Sequence, residues 1–186
     1  DGSGGYVELR GLSKTFTHGR QSRQILDDVT FSVREGEFCA IVGASGCGKS
    51  SILRVIDGLL RPDSGSVSVA GREITGPSPE VGLVFQQFNL LPWKTVEENI
   101  MFGLESLKLS KDVKRERCRH WMSVVGLTDW AGHYPHQLSG GMQQRVSLAR
   151  TMAREPSLVL MDEPFGALDA LTRRFLQQEV ARLWQG

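Results

Sequence analysis

Gly43-Ala44-Ser45-Gly46-Cys47-Gly48-Lys49-Ser50 is the stretch that decides how this chain folds. It fits the pattern G-x-x-x-x-G-K-[ST], in which glycines let the backbone curl until its N–H groups point inward at phosphates. Before it, Glu37 to Val42 is a short apolar run that predicts a buried parallel strand. After it, the sequence predicts a helix over Lys49 to Gly58, whose positive end strengthens the anion site. Strand, glycine turn and helix in that order are the context the pattern requires. Lys49 is then expected to contact the outer phosphates and Ser50 to ligate Mg2+, while Gly43, Ala44, Ser45, Gly46, Cys47, Gly48 and Ser51 line the nucleotide. Cys47 has a second reading, as a redox-responsive thiol.

A phosphate site needs a carboxylate at the end of a neighbouring strand, and Leu158-Val159-Leu160-Met161-Asp162-Glu163 supplies two. The four apolar residues predict a buried strand with Asp162 at its exit, placed to hold magnesium. Glu163 follows, placed to polarise the water that attacks the terminal phosphate. Adjacent acids after a strand also suit a solvated turn, and the glycine loop favours the catalytic reading. The guanine-reading pattern N-K-x-D is absent, because neither Asn89 nor Asn99 is followed by lysine. A GTPase is therefore disfavoured.

The surrounding chain supports an α/β protein. Tyr6 to Leu12 and Ile25 to Val33 alternate in part between apolar and polar residues and predict antiparallel strands. Gly65 to Ala70 and Val81 to Phe85 predict further strands, separated by turns at Gly71, Gly76, Pro77 and Pro79. Thr95 with Glu98 fits a capping box, and Ser110 to Val125 reads as a charge-rich helix with apolar Val113, Trp121, Val124 and Val125. Residues 87–154 are thus expected to form a mostly helical insertion between 6–86 and 155–186. A last helix is predicted over Leu171 to Trp184.

Composition excludes several classes. The chain has 186 residues, 40% hydrophobic and 23% charged, with a net charge of +1. Neither disorder nor a strongly basic nucleic-acid surface fits that balance. The longest apolar runs, such as Phe38 to Val42, fall far short of the roughly 20 residues a bilayer requires, so a cytoplasmic protein is expected. Cys39, Cys47 and Cys118 form no C-x-x-C pair and read as free thiols. His133 and His136 lack ligand partners at metal spacing, so no metal besides magnesium is expected.

Leu138-Ser139-Gly140-Gly141-Met142-Gln143-Gln144-Arg145 resembles the signature motif of ABC ATPases, a far more specific pattern than the glycine loop. Physically it is a helix start, with Met142, Val146, Ala149 and Ala153 on one apolar side and N–H donors exposed at Ser139, Gly140 and Gly141. The resemblance implies a P-loop NTPase (RecA-like) core with a small antiparallel β subdomain and an inserted helical subdomain. It also implies that Ser139, Gly140 and Gly141 complete the ATP site of an opposing copy, in a head-to-tail homodimer.

Other matches follow along the chain. Phe16 looks like the aromatic that stacks on adenine, with a buried strand residue as the alternative. Gln86, rather than the competing Gln87, looks like the glutamine linking magnesium and attacking water to the membrane partner. Asp169, in Ala167-Leu168-Asp169, looks like the loop that signals between the two sites. Phe88 to Val96 and Glu163 to Thr172 look like the nitrate, sulfonate and taurine group of importers. That implies transmembrane permease subunits as partners, an external solute-binding protein acting indirectly, no nucleic acid, and a place on the inner face of the cell membrane. Leu90, Leu91 and Trp93 then either line the permease-docking groove or belong to the core.

One departure stands against the family pattern. The family carries a switch histidine on a later strand, whereas all four histidines here precede Glu163. The chain reads as C-terminally truncated, expected to bind ATP and to hydrolyse it poorly in this form. A soluble, non-transport ABC ATPase is the rival, disfavoured because no tandem ATPase domain or long basic insertion is present.

Overall fold

Partial alternation from Val7 onward builds a long hairpin. The computed structural model describes residues 5–19, 21–164, 170 and 173–174. In it β1 (Val7–His18) pairs antiparallel with β2 (Gln21–Val33), and both run further toward their connection than the alternating pattern alone indicates. Register shifts between Leu9 and Thr15 bend the pair. On the other side of β1 lies β3 (Ser64–Val69), and β4 (Arg72–Glu73) closes the order β2-β1-β3-β4. Val7, Leu9 and Leu12 of β1 and Val67 and Val69 of β3 are buried, as are Ile52, Val55 and Ile56 of α1 (Lys49–Ile56). These elements belong to the first of two compact units, Asp1–Ser78.

The predicted strand over Glu37 to Val42 does not form. That segment has no assigned strand, and Phe38 and Val42 are 74% and 90% exposed. An apolar run becomes a buried parallel strand only when neighbours supply both a ladder and cover on both faces. The strands of its own unit pair with one another in an antiparallel sheet, and the parallel pair belongs to the second unit.

In that second unit, Pro79–Gly186, β5 (Val81–Val84) lies parallel to β6 (Leu158–Met161), with Val81 opposite Leu158 and Val84 opposite Met161. The intervening chain is mostly helical. Thr95 begins α2 (Val96–Leu104) with a complete capping box: its hydroxyl accepts from the Glu98 N–H while the Glu98 carboxylate accepts from the Thr95 N–H. Ser110 caps α3 (Lys111–Val124), and Ser139 caps α4 (Gly140–Met152). Short 3-10 turns at Thr128–Trp130 and Pro135–Gln137 join the last two helices.

Helical spacing explains the core of this unit. Val96, Ile100 and Leu104 recur every four residues on α2 and are fully buried against Trp121 and Met122 of α3 and Val146, Ala149 and Ala153 of α4. Each large aliphatic side chain so buried contributes about 1.5–3 kcal/mol. The small residues bring α2 and α4 close: a Cβ on Gly103 would lie 2.5 Å from the Arg150 carbonyl oxygen. Among the described residues no helix is long and apolar enough to cross a membrane. The helix predicted over Leu171 to Trp184 lies outside the described residues, apart from helical Arg173 and Arg174.

Candidate functional site

The glycine loop of the first unit enters α1 through Gly48, whose φ of 104° is left-handed. A Cβ there would lie 2.9 Å from Leu26 Cδ2 and 3.0 Å from the Ile25 carbonyl oxygen, so glycine is required both for the turn and for the contact with β2. Lys49 Nζ donates to the carbonyls of Gly43 and Ala44 at 3.0 and 2.9 Å, which draws the ammonium back across the start of the loop. The Cys47 N–H bonds to the Ala44 carbonyl at 3.3 Å. Residues 42–46 are exposed, while Lys49, Ser50 and Ser51 form the first turn of α1. An accessible curl ending at a helix N-terminus with a lysine folded onto it is suited to an anionic ligand.

Phe16 lies near the end of β1 opposite Arg23. Its ring is 43% exposed, with Lys14 Nζ 5.9 Å from its centroid. The buried-strand alternative is thereby corrected: Phe16 is a strand residue whose ring is open to solvent.

In the second unit β6 delivers Asp162 and Glu163. The Asp162 N–H donates to the Val84 carbonyl at 2.9 Å, extending the parallel ladder by one residue and leaving Asp162 buried. Glu163 turns abruptly, with a φ of 46° that side-chain-bearing residues seldom adopt and that costs about 1–3 kcal/mol. The turn exposes its carboxylate, which accepts a hydrogen bond from Gln86 Nε2 at 3.3 Å. Of the adjacent glutamines it is Gln86, just past β5, that meets Glu163.

The helix start at Ser139 takes the form anticipated from its sequence. Ser139 has extended backbone geometry, its hydroxyl accepts from the Met142 N–H at 3.3 Å, and its carbonyl accepts from the Gln143 N–H at 2.9 Å. Val146, Ala149 and Ala153 are buried and Met142 packs on the same core. Ser139 and Gly140 are exposed. Asp169, and most of the stretch from Phe165 to Thr172, lie outside the described residues.

The Phe88–Thr95 loop divides the two readings of its apolar residues. Leu90 packs on the helical core, whereas Trp93 is 69% exposed. Two residues that sequence reasoning missed organise this loop. Asn99, fully buried on α2, accepts from the Leu91 N–H and donates to the carbonyls of Leu91, Lys94 and Thr95. Arg150, near the end of α4, donates to the carbonyls of Phe88 and Asn89. Burial holds the Arg150 guanidinium below its ordinary pKa. The available signal was a polar residue inside an apolar helical stripe.

For magnesium, the described residues contain no cluster of three His, Cys, Asp or Glu side chains at ligand spacing. Magnesium bound with a nucleotide needs few protein ligands, because phosphates and water fill most of its shell. Ser50, in the first unit, and Asp162, buried in the second, each carry an oxygen of the kind that magnesium takes.

Comparison with known proteins agrees with these features. The family model described as ABC transporter matches residues 26–166, more than half of the chain. The chain is 42% identical over 180 residues to the nitrate import ATP-binding protein NrtD of Synechocystis sp., covering 97% of this chain and 68% of that one. It is 47% identical over 160 residues to the taurine import ATP-binding protein TauB of Pelagibacter ubique, covering 86% of this chain and 60% of that one. Its structure superposes on the dimeric post-hydrolysis ATP-binding cassette MJ0796, solved with ADP and Pi, with a TM-score of 0.85 and 34% identity. That match covers 96% of this chain and 82% of the other. The chain spans 60 to 70% of the length of the curated relatives it matches. With its P-loop NTPase fold, this chain belongs to the ABC transporter family of ATP-binding proteins.

Proposed function

We propose that this chain is the nucleotide-binding part of the ATP-hydrolysing subunit of an ABC importer, taking up a small solute, in particular an anion such as nitrate, a sulfonate or taurine. The observation that carries the catalytic half is the hydrogen bond between Gln86 and Glu163, a glutamine amide poised on an exposed carboxylate at the mouth of a parallel strand pair. Relatives named for nitrate, aliphatic sulfonate, taurine and bicarbonate transport support the importer half over a soluble non-transport ATPase.

In this reading Glu163 accepts a proton from the attacking water and Gln86 orients that water. Lys49 and the loop from Gly43 to Ser51 hold the phosphates, Phe16 stacks on adenine, and Ser50, Asp162 and Gln86 attend magnesium. When bound, magnesium neutralises charge on the phosphates being separated. Ser139, Gly140 and Gly141, at the start of α4 in the helical subdomain 87–154, serve the nucleotide of a second copy, and Asp169 relays between the two sites. Trp93 and its loop face the permease, the solute-binding protein acts from outside, and the subunit works on the inner face of the membrane.

Sedimentation of the full-length Glu163→Gln variant tests this reading. Slowed hydrolysis is expected to trap an ATP-dependent dimer that Ser139→Arg abolishes. A variant that binds ATP, remains monomeric and is indifferent to Ser139→Arg would refute the two-copy arrangement.

A further inference from the structure

The signature helix touches the chain that follows Gln86 at two places. At its N-terminus the Phe88 ring lies against Gly140, whose Cβ, were one present, would be 3.8 Å from Phe88 Cζ. At its last turn, Arg150 Nη1 donates to the Asn89 carbonyl at 2.8 Å and Nη2 to the Phe88 carbonyl at 3.1 Å. The guanidinium thus grips two consecutive peptide groups, a use of its planar fork that a lysine cannot reproduce. Asn89 takes a φ of 46°, a left-handed turn that asparagine tolerates better than most residues. The base of the arginine is fixed too, because its backbone carbonyl packs against Gly103 of α2.

Gln86 stands two residues before Phe88, within about 7 Å of chain, so a displacement of Phe88 passes to Gln86 with little room for absorption. The 3.3 Å bond from Gln86 to Glu163 is already long for an N–H···O contact and is sensitive to such a displacement. We infer that Arg150 is a positioning residue for hydrolysis: it ties the chain just after Gln86 to the helix that Ser139 caps, so that this helix sets how Gln86 meets Glu163. The inference rests on the reading of Gln86 and Glu163 as hydrolytic groups. Arg150 itself touches neither nucleotide nor water in this scheme and acts through the backbone of Phe88 and Asn89.

ATPase kinetics on the full-length protein test it, with Arg150→Met, Arg150→Lys, Gln86→Ala and each Arg150 variant combined with Gln86→Ala. In Arg150→Met, kcat is expected to fall about tenfold, in keeping with the cost of misplacing a reacting group, while the KM for ATP stays within about twofold. Arg150→Lys, able to reach one carbonyl, falls between. Each double variant is expected to be no slower than Gln86→Ala alone, because both changes act on the same step. Rate losses that multiply in the double variants, or a raised KM at unchanged kcat, overturn the inference and make Arg150 a purely structural residue. Should Arg150→Met fail to fold, Arg150→Lys decides alone: wild-type kcat, or losses that multiply, overturns it. A wild-type protein without turnover overturns the hydrolytic reading and this inference together, whereas an active wild type with unchanged variants overturns this inference only.

Discussion

Replacing Asn99 with alanine isolates the contribution of one buried amide to the Phe88–Thr95 loop. Four hydrogen bonds disappear: one accepted from the Leu91 N–H at 2.9 Å, and three donated to the carbonyls of Leu91, Lys94 and Thr95 at 3.2, 2.9 and 2.9 Å. Their losses are not equal. The Leu91 carbonyl keeps a bond from the Lys94 N–H, and the Thr95 carbonyl keeps its helical bond from the Asn99 N–H. The Leu91 N–H and the Lys94 carbonyl are the groups left without those partners, each half-buried and each costing about 1–3 kcal/mol if unsatisfied. Partial access to water favours the lower half of that range, so a total near 3 kcal/mol is expected. For a chain of this size, that lowers the melting temperature by roughly 6–12 °C. Circular dichroism melts give the stability, and limited chymotrypsin cleavage around Leu90, Leu91 and Trp93 reports the freed loop. A melting temperature within about 2 °C of wild type, with unchanged cleavage, would refute the accounting.

Gly48→Ala forces a side chain into a φ of 104° and against Leu26 and Ile25, so a loss of about 1–3 kcal/mol in urea unfolding and at least tenfold weaker ATP binding are expected. Nucleotide affinity within twofold of wild type would refute the role given to this turn. On the acid side, hydrogen bonding to Lys14 and to the Thr15 N–H lowers the pKa of Asp63, and bonding to the Thr95 N–H lowers that of Glu98. A folded-state pKa below the unfolded one contributes stability above the unfolded value, and that contribution is lost as pH falls through the folded value. Stability is therefore expected to drop below about pH 4.5, the ordinary Glu value, and less steeply in Glu98→Gln; equal pH slopes in the two proteins would refute the claim. Cys39 and Cys47 are exposed, whereas Cys118 is buried and its thiol is pushed up to about 12 by burial, with Glu97 adding to the shift. Two thiols are expected to alkylate in the folded protein and the third only on unfolding, with ATP slowing Cys47; rapid reaction of Cys118 in the native state would contradict its burial.

Features carried by local spacing were legible in the sequence. The capping box at Thr95 and Glu98 states its partners within three residues, and local spacing announces the apolar side of α4 and the strand Leu158–Met161; all three formed, although of that strand only Leu160 is buried. The meeting of Gln86 with Glu163 is different, because the two lie 77 positions apart and no periodicity links them. Resemblance to a family supplied Gln86 and the end of an apolar run supplied Glu163, and their contact is found in the structure. The run Glu37 to Val42 marks the opposite limit. Its apolar composition states that it can be buried, but ladder partners and cover come from other parts of the chain, and in this structure it has no strand pairing.

Asn99 and Arg150 escaped notice for a related reason. Each bonds mainly to backbone carbonyls, and a carbonyl is present at every position whatever the side chain, so no sequence pattern marks the acceptor. What the sequence does carry is the anomaly on the donor side: an asparagine on the same side of α2 as the buried Val96 and Ile100, and an arginine beside the buried Ala149 on the last turns of α4. A polar group at such a place costs several kcal/mol unless its bonds are satisfied, so its presence predicts a partner even when the partner cannot be named. In this structure those partners are backbone groups of the irregular chain between β5 and α2, from the Phe88 carbonyl to the Thr95 carbonyl.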